Sequence, residues 1–228
     1  MSLRAVFFDL DDTLLPTTSS RPERARRAFD YLREAHPEHP GLRDWHRFYD
    51  SLLAYDHSTG FIRGMRPVLE ELGLWQTPAG DVAHGHWFFD GSIDLIASYP
   101  DVPAVVEALR AEYTLGLITN GEGVHQRRKL DALGIAHHFD VVLISGEFGQ
   151  LKPSRAIFEQ ALSLAGVSAR EAVHVGDNLD ADVYGAKSAG MRAVWFNAER
   201  RHSYWDSPLP DASISSFDQL ASVLNRWR

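Results

Sequence analysis

The segment Asp9-Leu10-Asp11-Asp12-Thr13, directly after the apolar run Ala5-Val6-Phe7-Phe8, constrains this chain most. The apolar run reads as a buried strand over Arg4–Leu10, and the two carboxylates Asp9 and Asp11 sit at its mouth. Two anions this close repel by roughly 4 kcal/mol in an effective dielectric near 20, and burying either one adds a desolvation cost. A bound cation, and a reaction that uses both groups, accounts for such a pair. The segment is no EF-hand loop, because Leu14 stands where the glycine is needed and Ser20 where the closing glutamate is needed.

The rest of the chain has two rhythms. Between Pro16 and Pro100 the patterns are helical and no strand is apparent. Helices are expected over residues 22–35, 42–55 (Leu42, Trp45, Phe48, Tyr49, Leu52 and Leu53 on one face), 62–72 and 78–89. After Pro103, short apolar strands at 115–119, 141–145, 172–175 and 193–196 alternate with helices at 105–112, 122–133, 154–165 and 179–189. Gly134, Gly166 and Gly190 end the last three of these helices. Ser168 to Glu171 is a capping box, and Ser216 to Gln219 starts a last helix. Alternation of this kind predicts an α/β fold: a Rossmann-like parallel sheet core flanked by helices, with an inserted all-helical domain. The expected boundaries are 1–16 and 100–228 for the core and 17–99 for the insert.

Ligands of parallel sheets bind at the carboxyl ends of the strands, and the chemistry-bearing residues fall there. Asp9 and Asp11 follow the first strand, and Thr119-Asn120-Gly121 the second. Lys152-Pro153 lies beyond the third. Gly176-Asp177, with Asp180 and Asp182, follows the fourth. This ordered set resembles the haloacid dehalogenase-like (HAD) superfamily, and the helical insert stands where that superfamily carries a helical cap.

The resemblance implies a role for each residue. Asp9 is the expected nucleophile, forming an aspartyl-phosphate. Asp11 is the acid for the leaving alcohol and then the base for water, its neighbouring anions favouring the protonated form. Thr119, Asn120, Gly121 and Lys152 are the expected phosphate-binding groups, Thr119 and Lys152 being counted as catalytic as well. Asp9, Asp177 and the Asp11 carbonyl are the expected ligands of Mg2+, with Asp182 behind them. Asp180 is expected at a solvated helix start and Asp12 in the turn. Dehalogenating members lack an aspartate at the Asp11 position, because halide needs no proton on leaving.

The expected function is therefore a magnesium-dependent phosphomonoesterase acting on a nucleoside monophosphate or sugar phosphate. A phosphosugar mutase or phosphotransferase, and a non-catalytic phosphate-ligand-binding protein, are the alternatives. The chain has no cysteine and a formal charge of −8. Thiol chemistry is thereby excluded, and a duplex nucleic-acid partner, which needs a basic face, is not expected. Neither a signal peptide nor a membrane span is expected, so the location expected is cytoplasmic. His84 and His86 are two apart on a helix and do not share a face as metal ligands do. Gly121 and Gly123 lack the full dinucleotide-binding pattern. The polar stretch Tyr55 to Gly60, with Arg63 and Arg66, is a candidate for leaving-group contact or plain surface charge. The aromatic, basic stretch Arg200 to Trp205 has no assigned role.

Overall fold

The computed structural model describes residues 2–59, 65–88, 93–199 and 210–228. The chain divides into two compact units, Met1–Pro16 with Ala97–Arg228, and Thr17–Ile96. In the first unit, six parallel strands form one sheet: β1 Ala5–Phe8, β2 Thr114–Thr119, β3 Val141–Ile144, β4 Ala172–Gly176, β5 Arg192–Phe196 and β6 Ala212–Ile214, in the order β3-β2-β1-β4-β5-β6. The direction of strand addition reverses at β1, so β1 and β4 are neighbours although far apart in sequence. Such a reversal opens a crevice at the carboxyl ends.

The helices of the chain are α1 Arg21–Ala35, α2 Trp45–Thr59, α3 Met65–Glu71, α4 Pro78–Trp87, α5 Val102–Arg110, α6 Gly123–Leu133, α7 Ser145–Phe148, α8 Arg155–Ala165, α9 Gly185–Ser188 and α10 Leu220–Asn225. β1 is apolar throughout and wholly buried, as a strand covered on both faces must be. Ala5 and Phe7 face one side with Ile157, Phe158 and Ala161 of α8. Phe8 faces the other, where its ring meets Phe139 and Phe217 at 6.3 and 6.2 Å. Register then fixes depth. Phe8 pairs with both Leu117 and Val175, so Asp9 lies one residue beyond that row and Thr119 and Asp177 two residues beyond it.

The second unit is helical, and its described residues hold no strand. Phe29 of α1 packs on Trp45 and Phe48 of α2 at 5.6 and 5.2 Å. Ala25, Ala28, Leu32, Ala83 and Trp87 complete the core where α1 and α4 meet. Phe29, Phe48 and Trp87 are thus core, with Trp45, Tyr49, Trp75 and Phe88 half-buried against it; His84 is half-buried against Trp75 and Phe88, and His86 lies against the exposed Tyr31. Arg66 pairs with Glu70 at 2.8 Å and lies over Trp75, and the Tyr55 hydroxyl bonds Glu71. Arg63 and Gly60, like Arg200 to Trp205, lie outside the described residues.

Several element boundaries differ from expectation for local reasons. α2 starts at Trp45, not Leu42, because Asp44 Oδ1 accepts from His46 N and Arg47 N and begins the helix there. α5 starts at Val102 because Pro103 is tolerated in a first turn. α7 and β6, four and three residues long, are too short to show periodicity. The expected helix 179–189 is instead a π-helical turn, Leu179–Tyr184, leading into α9. Wide turns of this kind cluster at functional sites, and this one points Asp182 inward.

Candidate active site

Asp9, Lys152 and Asp182 form one buried array. Lys152 Nζ donates to Asp9 Oδ1 and to Asp182 Oδ1, each at 2.6 Å. Asp182 Oδ1 also meets His174 Nε2 at 3.0 Å, and Asp182 Oδ2 accepts from Asn178 N at 3.0 Å. His174 points up from β4 and packs edge-on against Phe158, and its Nδ1 is buried without a partner. The proton of the neutral ring therefore belongs on Nε2, donated to Asp182. Gly176 makes this possible, since a Cβ there would stand 2.3 Å from Asp182 Cγ.

Asp177 completes an acidic cluster in which oxygens of Asp9, Asp177 and Asp182 lie within 4.8 Å of one another. Its backbone N–H donates to Thr13 Oγ1 at 3.1 Å, and its carbonyl accepts from Trp195 Nε1 at 2.9 Å. Two of the three carboxylates, Asp9 and Asp182, pair with the one lysine, and with all three ionised the four groups carry a formal charge of −2. Hard oxygen donors and that charge suit a divalent cation. Asp180, in contrast, is exposed, and its backbone N–H donates to Asn178 Oδ1 at 3.0 Å.

The charge balance shifts each group. Burial pushes Asp9 up to about 7; Lys152 pulls it back, and the Asp182 charge adds to the rise. Burial disfavours the charged Lys152, yet Asp182 and Asp9 outweigh it and hold the ammonium above its ordinary value. Burial likewise opposes ionised Asp182, yet Lys152 and His174 hold it well below the carboxylate range. His174 is pushed down by burial and stays neutral.

Asp11 sits differently from expectation. Instead of facing anions alone, it accepts from Lys129 Nζ at Oδ1 (2.7 Å) and Oδ2 (2.9 Å), and from Gln126 Nε2 at Oδ2 (2.9 Å). Gln126 Nε2 also donates to Thr119 Oγ1 at 2.6 Å. Asn120 and Gly121 carry bonds within the site loops. The Asn120 carboxamide is spent on the Lys152 backbone, donating to Lys152 O at 3.0 Å and accepting from Lys152 N at 2.8 Å. The Gly121 N–H donates to Ser145 Oγ at 3.0 Å. These bonds tie the end of β2 to the Lys152 loop and to the start of α7. The Lys152–Pro153 peptide in that loop is cis. Asp12, at φ 56°, bonds Leu15 O through its N–H and serves the turn.

Sequence reasoning passed over Gln126, Lys129 and His174. The first two left a trace: both lie on the buried face of α6 beside Leu130, where polar residues are out of place. A groove lined by Arg4, Arg110, Tyr113 and Asp140 lies at the opposite ends of β1–β3 and contains none of these groups.

Residues 3–190 match the haloacid dehalogenase-like hydrolase family. The chain belongs to that family, and it is a hydrolase. A glyceraldehyde 3-phosphate phosphatase of Methanopyrus kandleri is 34% identical over 95% of this chain and 92% of its own length. The N-acylneuraminate-9-phosphatase of Mus musculus is 31% identical over 97% and 94%. Among solved structures, a 2-haloacid dehalogenase from Pseudomonas syringae superposes with a TM-score of 0.74 at 32% identity, covering 99% of this chain and 100% of its own. Among the described residues no helix is long and apolar enough to cross a membrane.

Proposed function

We propose that this protein is a magnesium-dependent phosphomonoesterase that cleaves a small phosphorylated metabolite through an aspartyl-phosphate on Asp9. The observation that carries the reading is Lys152 held at 2.6 Å from both Asp9 and Asp182, with Asp177 in the same acidic cluster and Asp11 two residues after Asp9. An Asp9 oxygen attacks phosphorus as the ester O–P bond breaks, and Asp11 gives its proton to the leaving alkoxide. Asp11 then takes a proton from the water that opens the aspartyl-phosphate. Thr119 Oγ1 and Lys152 Nζ meet the phosphoryl oxygens and offset the charge that builds on them. Asp9, Asp177 and the Asp11 carbonyl would hold magnesium, which would supply the positive charge that balances the carboxylates and favours ionised Asp9. Asp182 holds Lys152 in line, and His174 holds Asp182.

Two phosphatase relatives act on small phosphorylated compounds by name, and that supports the substrate class. A nucleoside monophosphate or sugar phosphate belongs in the panel with theirs. The unit Thr17–Ile96 is the substrate-selecting cap in this reading, and the cytoplasm, where such metabolites are made, is its setting. The dehalogenase likeness favours carbon–halogen cleavage as a second reading. Asp11, cradled by two donors, weighs against it, because a departing halide needs no proton.

Phosphate release from glyceraldehyde 3-phosphate, N-acylneuraminate 9-phosphate, phosphoserine and nucleoside monophosphates, with magnesium or with chelator, tests the proposal. Metal-dependent release that falls by about a thousandfold or more in Asp9→Asn is the expected result. Isomerised sugar phosphate without free phosphate points to a mutase. No product from any substrate, with the protein folded, leaves only binding.

A further inference from the structure

Gln126 and Lys129 sit three residues apart on α6, one turn along the same buried face. Both are nearly inaccessible, at 2% and 8% exposure. Burying a lysine and a carboxamide together is costly unless their hydrogen bonds are made. Here they converge on one target. Lys129 spans both oxygens of Asp11, and Gln126 Nε2 donates to Thr119 Oγ1 at 2.6 Å and Asp11 Oδ2 at 2.9 Å, with Asn120 O a longer third acceptor at 3.3 Å. The backbone makes room for this amide: Gly121, at φ +150°, would place a Cβ 2.9 Å from Gln126 Cγ and Cδ.

We propose that Gln126 and Lys129 are positioning residues of the acid–base step: they hold the Asp11 carboxyl at a fixed distance from Thr119 and stabilise the charge that develops on it as its proton leaves. The proposal rests on the phosphomonoesterase reading. The donors match the carboxylate form of Asp11, so their bonds strengthen as the proton passes to the leaving alkoxide and the ester O–P bond breaks. Interactions that grow toward the transition state accelerate the step. By donating to Thr119 Oγ1, Gln126 also frees that hydroxyl's own proton to point at a phosphoryl oxygen. One side chain thus sets both the proton donor and a phosphate clamp.

The leaving group reads this out. An alkyl phosphate needs the Asp11 proton to depart, whereas p-nitrophenyl phosphate releases a stabilised phenolate and needs it far less. Comparing kcat/KM for p-nitrophenyl phosphate and for the best alkyl phosphate of the panel isolates the steps up to the aspartyl-phosphate. Lys129→Met and Gln126→Met, each preserving volume, are expected to lose roughly tenfold or more on the alkyl ester and under about threefold on the aryl ester, as loss of aim does. Lys129→Gln, which keeps one donor, recovers part of the alkyl rate. The two Met variants are read separately, so a misfolded one leaves the other decisive.

Asp11→Asn is the control and should show the same discrimination with larger amplitude. Equal losses on both esters in the Met variants, with discrimination intact in Asp11→Asn, overturn the positioning role and leave the phosphatase reading standing. No discrimination in Asp11→Asn removes the acid role of Asp11, and the present inference with it.

Discussion

At the scale of single residues, the array Asp9–Lys152–Asp182–His174 is held by contact rather than by conformational preference. Gly176 is its clearest example. A side chain there collides with Asp182, which cannot retreat because Lys152, His174 and the Asn178 N–H hold it from three sides. Gly176→Ala is therefore expected to cost about 2 kcal/mol, within the range for overpacking a tight site. Urea unfolding measures that cost. Turnover should fall along with stability, since displacing Asp182 moves Lys152. Unchanged stability and rate show that Asp182 can shift freely and remove its positioning role. The importance of Asp182 was legible from its place after the fourth strand. Its hold on Lys152 through His174 was not, because His174 lies within an apolar strand and reads as core.

At the scale of elements, helices and strands were readable from their periods; caps moved some boundaries, and one expected helix was reshaped where the site bends the chain. The π-helical turn at Leu179–Tyr184 trades regular bonding for the inward direction of Asp182. α6 carries Gln126 and Lys129 on its buried face, beside Leu130, because those two side chains meet Asp11. In the other unit, one residue ties the ends together. Arg24 of α1 is buried, donating to Thr17 O at 3.1 Å and Ser20 Oγ at 3.1 Å, and to Trp87 O at the end of α4. It also lies over the Trp87 ring at 5.2 Å. Arg24→Met keeps the stem and strips the donors, leaving two buried carbonyls without this partner. A loss of about 2 kcal/mol is expected, on the scale of buried groups left unsatisfied. Limited proteolysis should show faster cutting within Thr17–Ile96 and little change in Ala97–Arg228. Uniform loss of protection across the chain contradicts this local role.

At the scale of the whole molecule, strand order decides which charges meet, and those charges couple folding to pH. Asp9 moves from 3.8 to about 7 on folding, so between these values the folded state holds the extra proton. Its contribution to stability is present at low pH and is lost as pH rises through 7. His174 acts in the opposite sense: burial lowers it, and stability is lost as pH falls below 6.5. Asp9→Asn removes only the first effect. In chelator, the stability gain of the variant over the wild type is expected to shrink by roughly 1 to 2 kcal/mol between about pH 7.5 and 5.5, near the limit for one proton. A difference that stays flat over this range means Lys152 keeps Asp9 ionised throughout. The local sequence alone determined the parallel α/β core, the helical insert and the four strand ends bearing Asp9, Asp11, Thr119, Lys152 and Asp177, because apolar periodicity and polar tips are properties of short segments. Only the tertiary structure decided that Asn120 braces Lys152, that His174 orients Asp182, and that Gln126 and Lys129 cradle Asp11. Those pairings join residues up to 118 positions apart, and register and packing, not neighbouring sequence, bring them within hydrogen-bonding distance.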